Sequence, residues 1–219
     1  MGDSFAGSGA GSGGVGEEAV GLGATRDVAE CDGSRGLYHL QPRRCALMVV
    51  DIQENLMKVI PARDEVGRNA ALLIKSARAL EIPVVATTQY VARIGEFIPE
   101  VRAELDGVEC LDKLEFGCFN NQAIAARVGS LAGGIDTLII CGVETHICIY
   151  QTVLGALKAG YRVWVPADGV ASRAVKNYET GLARLREMGA VVANTEMIIY
   201  DWLQKAGTPV FKKLLPVLK

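Results

Sequence analysis

The sequence predicts an α/β protein with three layers (α/β/α), in which a mostly parallel, roughly six-stranded sheet lies between two layers of helices. Two observations lead to this fold class. From Cys45 onward, short apolar runs typical of strands alternate with stretches of helical periodicity. Three of the runs, at 46–51, 83–88 and 137–141, are largely apolar, as expected of strands buried on both faces. This alternation favours parallel strands joined by right-handed helical crossovers.

The elements follow in order along the chain. The first long helix is expected at 64–80, where apolar residues recur every three or four positions. Further strands are expected at the short runs 109–111, 161–166 and 190–193. Further helices are expected at 121–129, 145–158, 176–188, 196–202 and 210–215.

The composition divides the chain into a tail and one domain. Of the 219 residues, 50% are hydrophobic, which suits a single well-buried domain at 37–219. Residues 1–36 hold 11 of the 25 glycines and bury too little apolar surface to offset chain entropy, so we expect a disordered tail. The tail lacks the basic start and apolar region of a secretory signal, and its acids argue against a transit peptide. We therefore expect a cytoplasmic protein.

Charge and cysteine content exclude several classes of partner. The net charge is −2, so we expect neither a nucleic-acid partner nor binding to a membrane surface. No apolar run is long enough to cross a bilayer. The six cysteines form no C-x-x-C pair, and two lie in predicted buried strands. This pattern indicates free thiols in a reducing compartment rather than disulfides or a structural zinc site.

Cys148 is the first candidate for chemistry. It ends the segment 142–148 (GVETHIC), which directly follows the predicted strand at 137–141. With Thr145 as N-cap, Cys148 falls in the first turn of the next helix. Free backbone N–H groups and the helix dipole favour a thiolate there, and the thiolate is the nucleophilic form. The alternative is that Cys148 fills the core.

Asp51 and Lys113 are expected on the same edge of the sheet as Cys148. Asp51 ends the first predicted strand and Lys113 follows the third, so both lie where open α/β sheets bind ligands. Alternatively, Asp51 is a loop or capping residue and Lys113 is a solvated lysine. An acid, a cation and a thiol together match an activated nucleophile. In this arrangement Lys113 lowers the pKa of the thiol, and Asp51 accepts or shuttles its proton.

Three segments carry a resemblance to a known family: 49–53 (VVDIQ), 113–119 (KLEFGCF) and 142–148 (GVETHIC). They resemble the signatures of the isochorismatase-like cysteine hydrolases, which have a Rossmann-type fold, and the resemblance extends from about residue 45 to the C-terminus. It implies a catalytic triad of Asp51, Lys113 and Cys148. It also implies a cis peptide at Val143–Glu144, which helps to aim the backbone N–H groups of Glu144 and Cys148 at an oxyanion. Residues 211–216 resemble the tail of isochorismatase-domain-containing proteins of unassigned substrate.

The chain departs from the metal-dependent nicotinamidases of this family. Those carry an Asp-x-His motif after the second strand and a further histidine, whereas this chain has Gln89 at the matching position and only His39 and His146 in total. We therefore expect no metal and no cofactor. Cys148 places the chain nearer the amidase-like members, which implies hydrolysis of a small amide or related acyl substrate through a Cys148 thioester. The alternatives are a non-catalytic scaffold or partner-binding protein and a thiol redox sensor.

Four side chains near the strand ends are candidates for contact with a small-molecule substrate: Gln53, Gln89, Tyr90 and Phe119. Gln53 could instead satisfy its loop, and Phe119 could serve packing. By the resemblance, Asp168 and Arg173 lie beside the pocket, although a capped turn explains them equally well. His146 invites a Cys–His dyad, but two residues that are two positions apart on a helix do not face each other.

The C-terminal residues 200–218 are too apolar for a free tail, because they include Trp202, Phe211, Leu214 and Leu215. They must cover their own core or the surface of a partner. The family resemblance favours a partner, so we expect a homodimer or a larger homo-oligomer.

Overall fold

The computed structural model describes residues 1–2, 38–131 and 133–218. Apart from its first two residues, the glycine-rich tail expected at 1–36 lies outside the described residues, and so does Cys31. The described domain opens at Tyr38, whose hydroxyl accepts a hydrogen bond from Trp164 Nε1 at 3.0 Å. The Arg162 guanidinium lies 4.1 Å above the Tyr38 ring. These contacts attach the chain to the sheet from Tyr38 onward.

In the described part of the chain, seven strands form one sheet in which every pairing is parallel. Their order is β3-β2-β1-β4-β5-β7, and β6 pairs with the end of β4. The predicted parallel sheet is therefore confirmed, with one strand more than expected. The strands are β1 (Cys45–Val50), β2 (Val84–Gln89), β3 (Cys110–Lys113), β4 (Thr137–Val143), β5 (Arg162–Pro166), β6 (Val170–Ala171) and β7 (Val191–Ala193).

Helices cover both faces of the sheet. Side chains of α2, α4, α8 and α9 join one apolar cluster, and those of α5, α6 and α7 join a second. Leu47 and Val49 of β1 belong to the first cluster and Met48 and Val50 to the second, as the alternation of side chains along a strand requires. The predicted three-layer architecture is therefore confirmed. The helices are α1 (Glu54–Met57), α2 (Arg63–Ala79), α3 (Val91–Ile94), α4 (Pro99–Glu104), α5 (Gln122–Gly129), α6 (Tyr150–Lys158), α7 (Val175–Glu187), α8 (Thr195–Leu203) and α9 (Pro209–Leu214).

The main differences from the expected elements concern short segments. The predicted strands and long helices end within about two residues of the observed ones, but α1, α3, α4 and β6 were not expected. The predicted helix 145–158 is also not continuous, because a π-helical turn at Thr145–Ile149 precedes α6. None of the described helices combines the length and the apolarity needed to cross a membrane.

The apolar C-terminal segment covers the core of its own chain. Trp202 and Leu214 are 3% and 1% exposed and join the cluster that contains α2. Phe211 packs against the same cluster, whereas Tyr200 and Val217 remain exposed. Most of the apolar character of this segment is thus explained within one chain.

Asp136 links the beginnings of three strands. Its carboxylate accepts hydrogen bonds from Arg44, just before β1, from Arg162 Nη2 at the start of β5 (2.7 Å) and from Thr137 Oγ1 at the start of β4 (2.8 Å). Burial opposes ionisation, but these donors hold the pKa of Asp136 below its usual range. The cluster braces the amino ends of the strands, opposite the edge where ligands are expected.

A glycine allows β1 and β4 to approach closely at their carboxyl ends. Gly142 has a φ of 127°, and a Cβ at this position would lie 1.9 Å from the carbonyl oxygen of Val50. A side chain would therefore force β1 away from β4. Since Asp51 follows β1 and Cys148 follows β4, this contact sets the separation of the two candidate functional residues.

Candidate active site

Asp51 lies directly beyond the carboxyl end of β1 and is fully buried. Its backbone has a φ of 57°, and its amide N–H donates to the carbonyl oxygen of Thr87 at 2.9 Å. The side chain of Thr87 also donates to Asp51 Oδ1 at 3.1 Å. The neighbouring strand β2 thus fixes both the backbone and the carboxylate of Asp51.

Lys113 is the last residue of β3, and its side chain has no exposed surface. Its ammonium donates to Asp51 Oδ2 at 2.7 Å and to Gln89 Oε1 at 2.7 Å. A buried ammonium is stable only when a counter-charge and hydrogen-bond acceptors replace water, and Asp51 and Gln89 provide them. Lys113 is therefore a fixed internal cation and not the solvated lysine of the alternative interpretation.

Two glutamines hold the ammonium in place. Gln89 donates from Nε2 to the carbonyl oxygen of Leu114 at 2.8 Å while its Oε1 accepts from Lys113. Gln53 in turn accepts from the Gln89 amide N–H at 2.7 Å and donates to the carbonyl oxygens of Gln89 and Gly95 at 3.2 and 2.6 Å. The polar side-chain atoms of both glutamines are thus bonded to the protein itself.

Cys148 lies in the π-helical turn after β4 and is 6% exposed. Its thiol lies close enough to the Asp51 carboxylate for each group to shift the pKa of the other. The structure therefore brings Asp51, Lys113 and Cys148 together. An acid, a cation and a thiol from three strand ends meet at one edge of the sheet, as sequence reasoning expected.

The expected bias toward thiolate is wrong. Burial raises the pKa of the Cys148 thiol, the charge of Asp51 raises it further, and the Lys113 ammonium only partly offsets both. Burial also raises the pKa of Asp51, against the opposing effect of Lys113. These effects favour the neutral thiol over the thiolate.

The expected N-cap is also wrong. Glu144 and not Thr145 occupies the N-cap position of the π-helical turn. Thr145 Oγ1 is buried and has no hydrogen-bond partner among the residues that the structure describes. The methyl group of Thr145 instead faces Gly181 of α7, where a Cβ would approach it to 3.0 Å.

Glu144 connects the segment before Cys148 to the loop after β6. The peptide bond Val143–Glu144 is cis, and Val143 is fully buried. The Glu144 carboxylate accepts from the backbone N–H of Arg173 at 2.8 Å and from the Arg173 guanidinium. Burial raises the pKa of Glu144, but the bonds to Arg173 outweigh this and lower it. This carboxylate–guanidinium pair was not expected from the sequence.

The two aromatic candidates lie in different places. Tyr90 follows β2 and is 43% exposed. Phe119 is partly buried and packs against the second apolar cluster, with its ring centroid 6.0 Å from that of Tyr161 and its Cβ against Gly155 of α6. Of the two, only Tyr90 presents a large surface at the carboxyl edge of the sheet.

The remaining candidates have structural partners. His146 contacts Ser172 Oγ at 2.9 Å and Asn177 Nδ2 at 3.3 Å, so its ring is engaged away from the thiol. Asp168 accepts from the backbone and hydroxyl of Thr195 and thereby anchors the start of α8. Cys118 is a free buried thiol whose sulfur lies 3.7 Å from Thr87 Oγ1.

Thr87 is the residue that sequence reasoning missed. Its hydroxyl lies between Asp51 and Cys118, and its carbonyl oxygen fixes the Asp51 backbone. The only signal was its position near the carboxyl end of β2, level with the end of β1. Among the described residues, no three side chains of His, Cys, Asp or Glu are grouped so that they could hold a metal ion.

Comparison with known proteins identifies the family. A profile of the isochorismatase domain matches residues 45–197, a range that contains all three residues of the cluster. The isochorismatase domain-containing protein 2 of Bos taurus is 32% identical over 183 residues, which cover 84% of this chain and 87% of that protein.

Two solved structures have the same fold. The MAR1 ribonuclease from Caenorhabditis elegans has a TM-score of 0.75 at 26% identity and covers 82% of this chain and 92% of its own. The YcaC gene product of Escherichia coli, an octameric hydrolase of unknown specificity, has a TM-score of 0.74 at 22% identity and covers 82% and 88%. The chain belongs to the isochorismatase family.

Proposed function

We propose that this protein is a cysteine-dependent hydrolase that cleaves a small amide or a related acyl or C–N substrate through a thioester on Cys148. The observation that carries the proposal is the buried Lys113–Asp51 ion pair, which lies beside the Cys148 thiol and shifts its pKa. A weak nucleophile beside a base, with that base fixed by a third group, is the arrangement that nucleophilic catalysis requires.

Formation of the thioester follows from this arrangement. Asp51 takes the thiol proton while the sulfur attacks the carbonyl carbon, so that an S–C bond forms and the carbonyl electrons move to oxygen. The backbone N–H groups of Glu144 and Cys148 stabilise that oxyanion, an effect worth about 2.7–4 kcal/mol per donor in known hydrolases. The C–N bond then breaks, and the proton on Asp51 goes to the leaving amine.

Release of the product uses the same groups in reverse. Asp51 removes a proton from a water molecule, whose oxygen attacks the thioester carbon. The S–C bond breaks, the acid leaves, and the proton returns to the sulfur. Lys113 keeps a counter-charge beside Asp51 throughout, so the site never holds an isolated buried carboxylate.

The raised pKa of the thiol fits this scheme. The base accepts the proton during attack, so no standing thiolate is needed, and the raised pKa of Asp51 makes it a stronger base than an exposed carboxylate. Gln89 lies at the position where metal-binding relatives have histidine. Its side-chain oxygen already accepts a hydrogen bond from Lys113. We therefore propose metal-independent turnover.

A substrate screen with matched cysteine variants tests the proposal. Amides are followed by ammonia or amine release, and activated esters by mass spectrometry of the acylated protein. We expect turnover and an acyl group on Cys148 in the wild type and in Cys110→Ala, and neither in Cys148→Ala. Turnover should survive EDTA. Acylation elsewhere, or turnover by Cys148→Ala, would contradict the mechanism, whereas no acylation by any substrate would favour a scaffold.

A thiol redox sensor is the second candidate, because the buried Cys118 thiol shares the neighbourhood of Asp51 and Cys148. Peroxide would oxidise the Cys148 thiol to a sulfenic acid with loss of water. The Cys118 thiol would then attack that sulfur, releasing a second water and leaving a disulfide. A Cys118–Cys148 disulfide found by mass spectrometry in the peroxide-treated wild type, together with a Cys148 sulfenic acid in its place in Cys118→Ala, would favour this function.

We also propose that the protein is a cytoplasmic homo-oligomer. Free thiols at Cys45, Cys118, Cys141 and Cys148 support a reducing compartment. The octameric state described for the YcaC gene product and the exposed Met197 and Tyr200 support self-association.

A further inference from the structure

The polar groups around the Cys148 thiol are engaged with one another. Asp51 accepts hydrogen bonds from Thr87 and Lys113 and lies beside the thiol. Lys113 is bonded to Asp51 and Gln89, and the Gln89 amide is completed by the carbonyl oxygen of Leu114. These side chains therefore have their strong hydrogen-bonding groups engaged within the protein before a substrate binds.

The charges around the thiol also cancel in pairs. Asp51 is matched by Lys113, with both side chains fully buried, and Glu144 is matched by Arg173 through backbone and guanidinium donors. A charged group that entered would lose its hydration and gain no unpaired counter-charge, which is costly. The site is therefore built to exclude ions.

Three large apolar side chains are exposed in the segments that follow Gln89 and Lys113. Tyr90 directly follows Gln89 and Leu114 directly follows Lys113, and Gln89 and Lys113 are register partners at the ends of β2 and β3. Tyr90, Leu114 and Phe116 are 43%, 66% and 52% exposed. We call these three side chains the apolar lip.

The loop that carries Leu114 and Phe116 runs from Lys113 to α6, the helix that follows the Cys148 turn. The loop after Leu114 reaches α6 at Gly117, where a Cβ would lie 3.0 Å from that of Gln151, three residues beyond Cys148. The Cys118 amide N–H then donates to Thr152 Oγ1 of α6. The charged residue within the loop, Glu115, is bonded to Asn121 Nδ2 at 3.0 Å. Leu114 and Phe116 thus lie in the short stretch of chain that joins Lys113 to the contact with α6.

We infer that the substrate of Cys148 is uncharged and carries an apolar group that packs on the lip formed by Tyr90, Leu114 and Phe116 while its carbonyl carbon lies at the sulfur. This inference rests on the proposed function, since it names the substrate class of the same site. Recognition then comes from burial of apolar surface and from backbone N–H groups.

Alkylating probes that share one reactive carbon test the inference without requiring turnover. N-benzyl-2-chloroacetamide is neutral and apolar, whereas N-(chloroacetyl)glycine is anionic. Rates of Cys148 labelling are measured by mass spectrometry on the full-length protein and divided by the rates with N-acetylcysteine. We expect a preference of about tenfold or more for the benzyl probe, a ratio that corresponds to about 1.4 kcal/mol.

Surface variants show whether the lip causes the preference. Leu114→Ser and Phe116→Ser should lower the benzyl preference at least severalfold without a change in melting temperature, because both side chains are exposed. Met197→Ser is the matched control: Met197 is 58% exposed but follows β7 at the far edge of the sheet, and its substitution should leave the preference intact.

The outcomes separate the inference from the proposed function. Labelling of Cys148 with no preference, or with preference for the anionic probe, overturns the inference and leaves the nucleophile in place. Failure of every probe to label Cys148 in the folded protein counts against both. If Leu114→Ser breaks an oligomer seen by light scattering and leaves the probe preference unchanged, the lip binds a second copy and the inference is wrong.

Discussion

The reactivity of the candidate site depends on three residues, Lys113, Asp51 and Cys148. What matters is which of them carries the exchangeable proton and where the two charges lie. The three groups are buried, so each depends on the others for its stability. The carboxylate is stabilised by the ammonium and lies beside the thiol. Replacement of any one of the three therefore changes the electrostatic environment of the other two.

The rate of Cys148 alkylation should rise with pH and reach half of its maximum only at a high pH. Burial and the charge of Asp51 raise the thiol pKa, so the thiolate forms only above the ordinary range near about 8.5. Labelling by iodoacetamide should consequently be slow at neutral pH and rise as the pH increases past that range. Rates from mass spectrometry, with N-acetylcysteine as reference, measure the midpoint. A midpoint below that of the reference would contradict the arrangement described above.

Replacement of Lys113 by methionine should raise the pH midpoint of Cys148 alkylation further. It should also lower the free energy of unfolding by about 3–5 kcal/mol, the usual cost of leaving one member of a buried ion pair without its partner. Asp51→Asn in the same chain should restore part of that stability. Urea unfolding of the single and double variants gives the coupling energy.

The exposed Lys212 supplies the control for this pair, because Lys212→Met should change the stability by less than about 0.5 kcal/mol. If the Lys113 and Lys212 variants behave alike, the buried ion pair is not what stabilises the site.

The sequence was sufficient to find the three central residues, because each lies at the carboxyl end of a strand or just beyond it. It was not sufficient to assign Gln53 and Gln89. Whether an amide faces a substrate or the protein depends on loop geometry, and here both amides close on β2 and β3. The direction of the thiol pKa shift could not be predicted from the sequence either, since it depends on burial and on Asp51 as much as on Lys113.

At the element scale, the separation of β1 and β4 is sensitive to one position. Gly142→Ala should destabilise the protein by about 3 kcal/mol or more, because its Cβ would overlap the Val50 carbonyl oxygen and its φ is positive. Gly129→Ala is the matched control. Gly129 ends α5 with open space around it, so alanine there should be neutral or stabilising by about 0.5–1 kcal/mol. Thermal unfolding of both variants measures the difference, and equal effects would contradict the close approach.

The cluster around Asp136 should make stability depend on pH in the acid range. The folded-state pKa of Asp136 is depressed, so its contribution is complete above the unfolded value and is lost as the pH falls through the folded value. Asp136→Asn should cost about 1 kcal/mol at pH 7, since both arginines are partly exposed. The cost should shrink below about pH 4, near the unfolded value. Asp106→Asn, at an exposed position, is the control for urea unfolding across pH.

Strands and long helices could be predicted because burial imposes periodicity on them. The helices α1, α3 and α4 have four to six residues and β6 has two, too few for a period to be visible. The π-helical turn at Thr145–Ile149 left no trace in the sequence either, because its residues fit an α-helix equally well. The turn packs against both β4 and α7.

At the scale of the whole molecule, the protein should self-associate. Light scattering at micromolar concentration should give at least twice the mass of one chain. The physical reason is the apolar surface that Met197 and Tyr200 leave on α8 beside a cavity of about 800 Å³ lined by Tyr38 and Trp164. Met197→Glu should weaken the assembly if this surface takes part. A single-chain mass for the wild type at that concentration would refute the prediction.

The position of β1 in the middle of the sheet has a consequence for synthesis of the protein. Cys45 pairs with Thr137, roughly 90 residues later, so the central strand lacks one neighbour until β4 has left the ribosome. Strand pairings between residues far apart in sequence form slowly. The chain loses the entropy of closing the intervening loop before the new contacts stabilise the pair. Until then the apolar edge of β1 is open to chaperones or to aggregation. Translation speed across residues 51–143 should therefore influence the yield of folded protein.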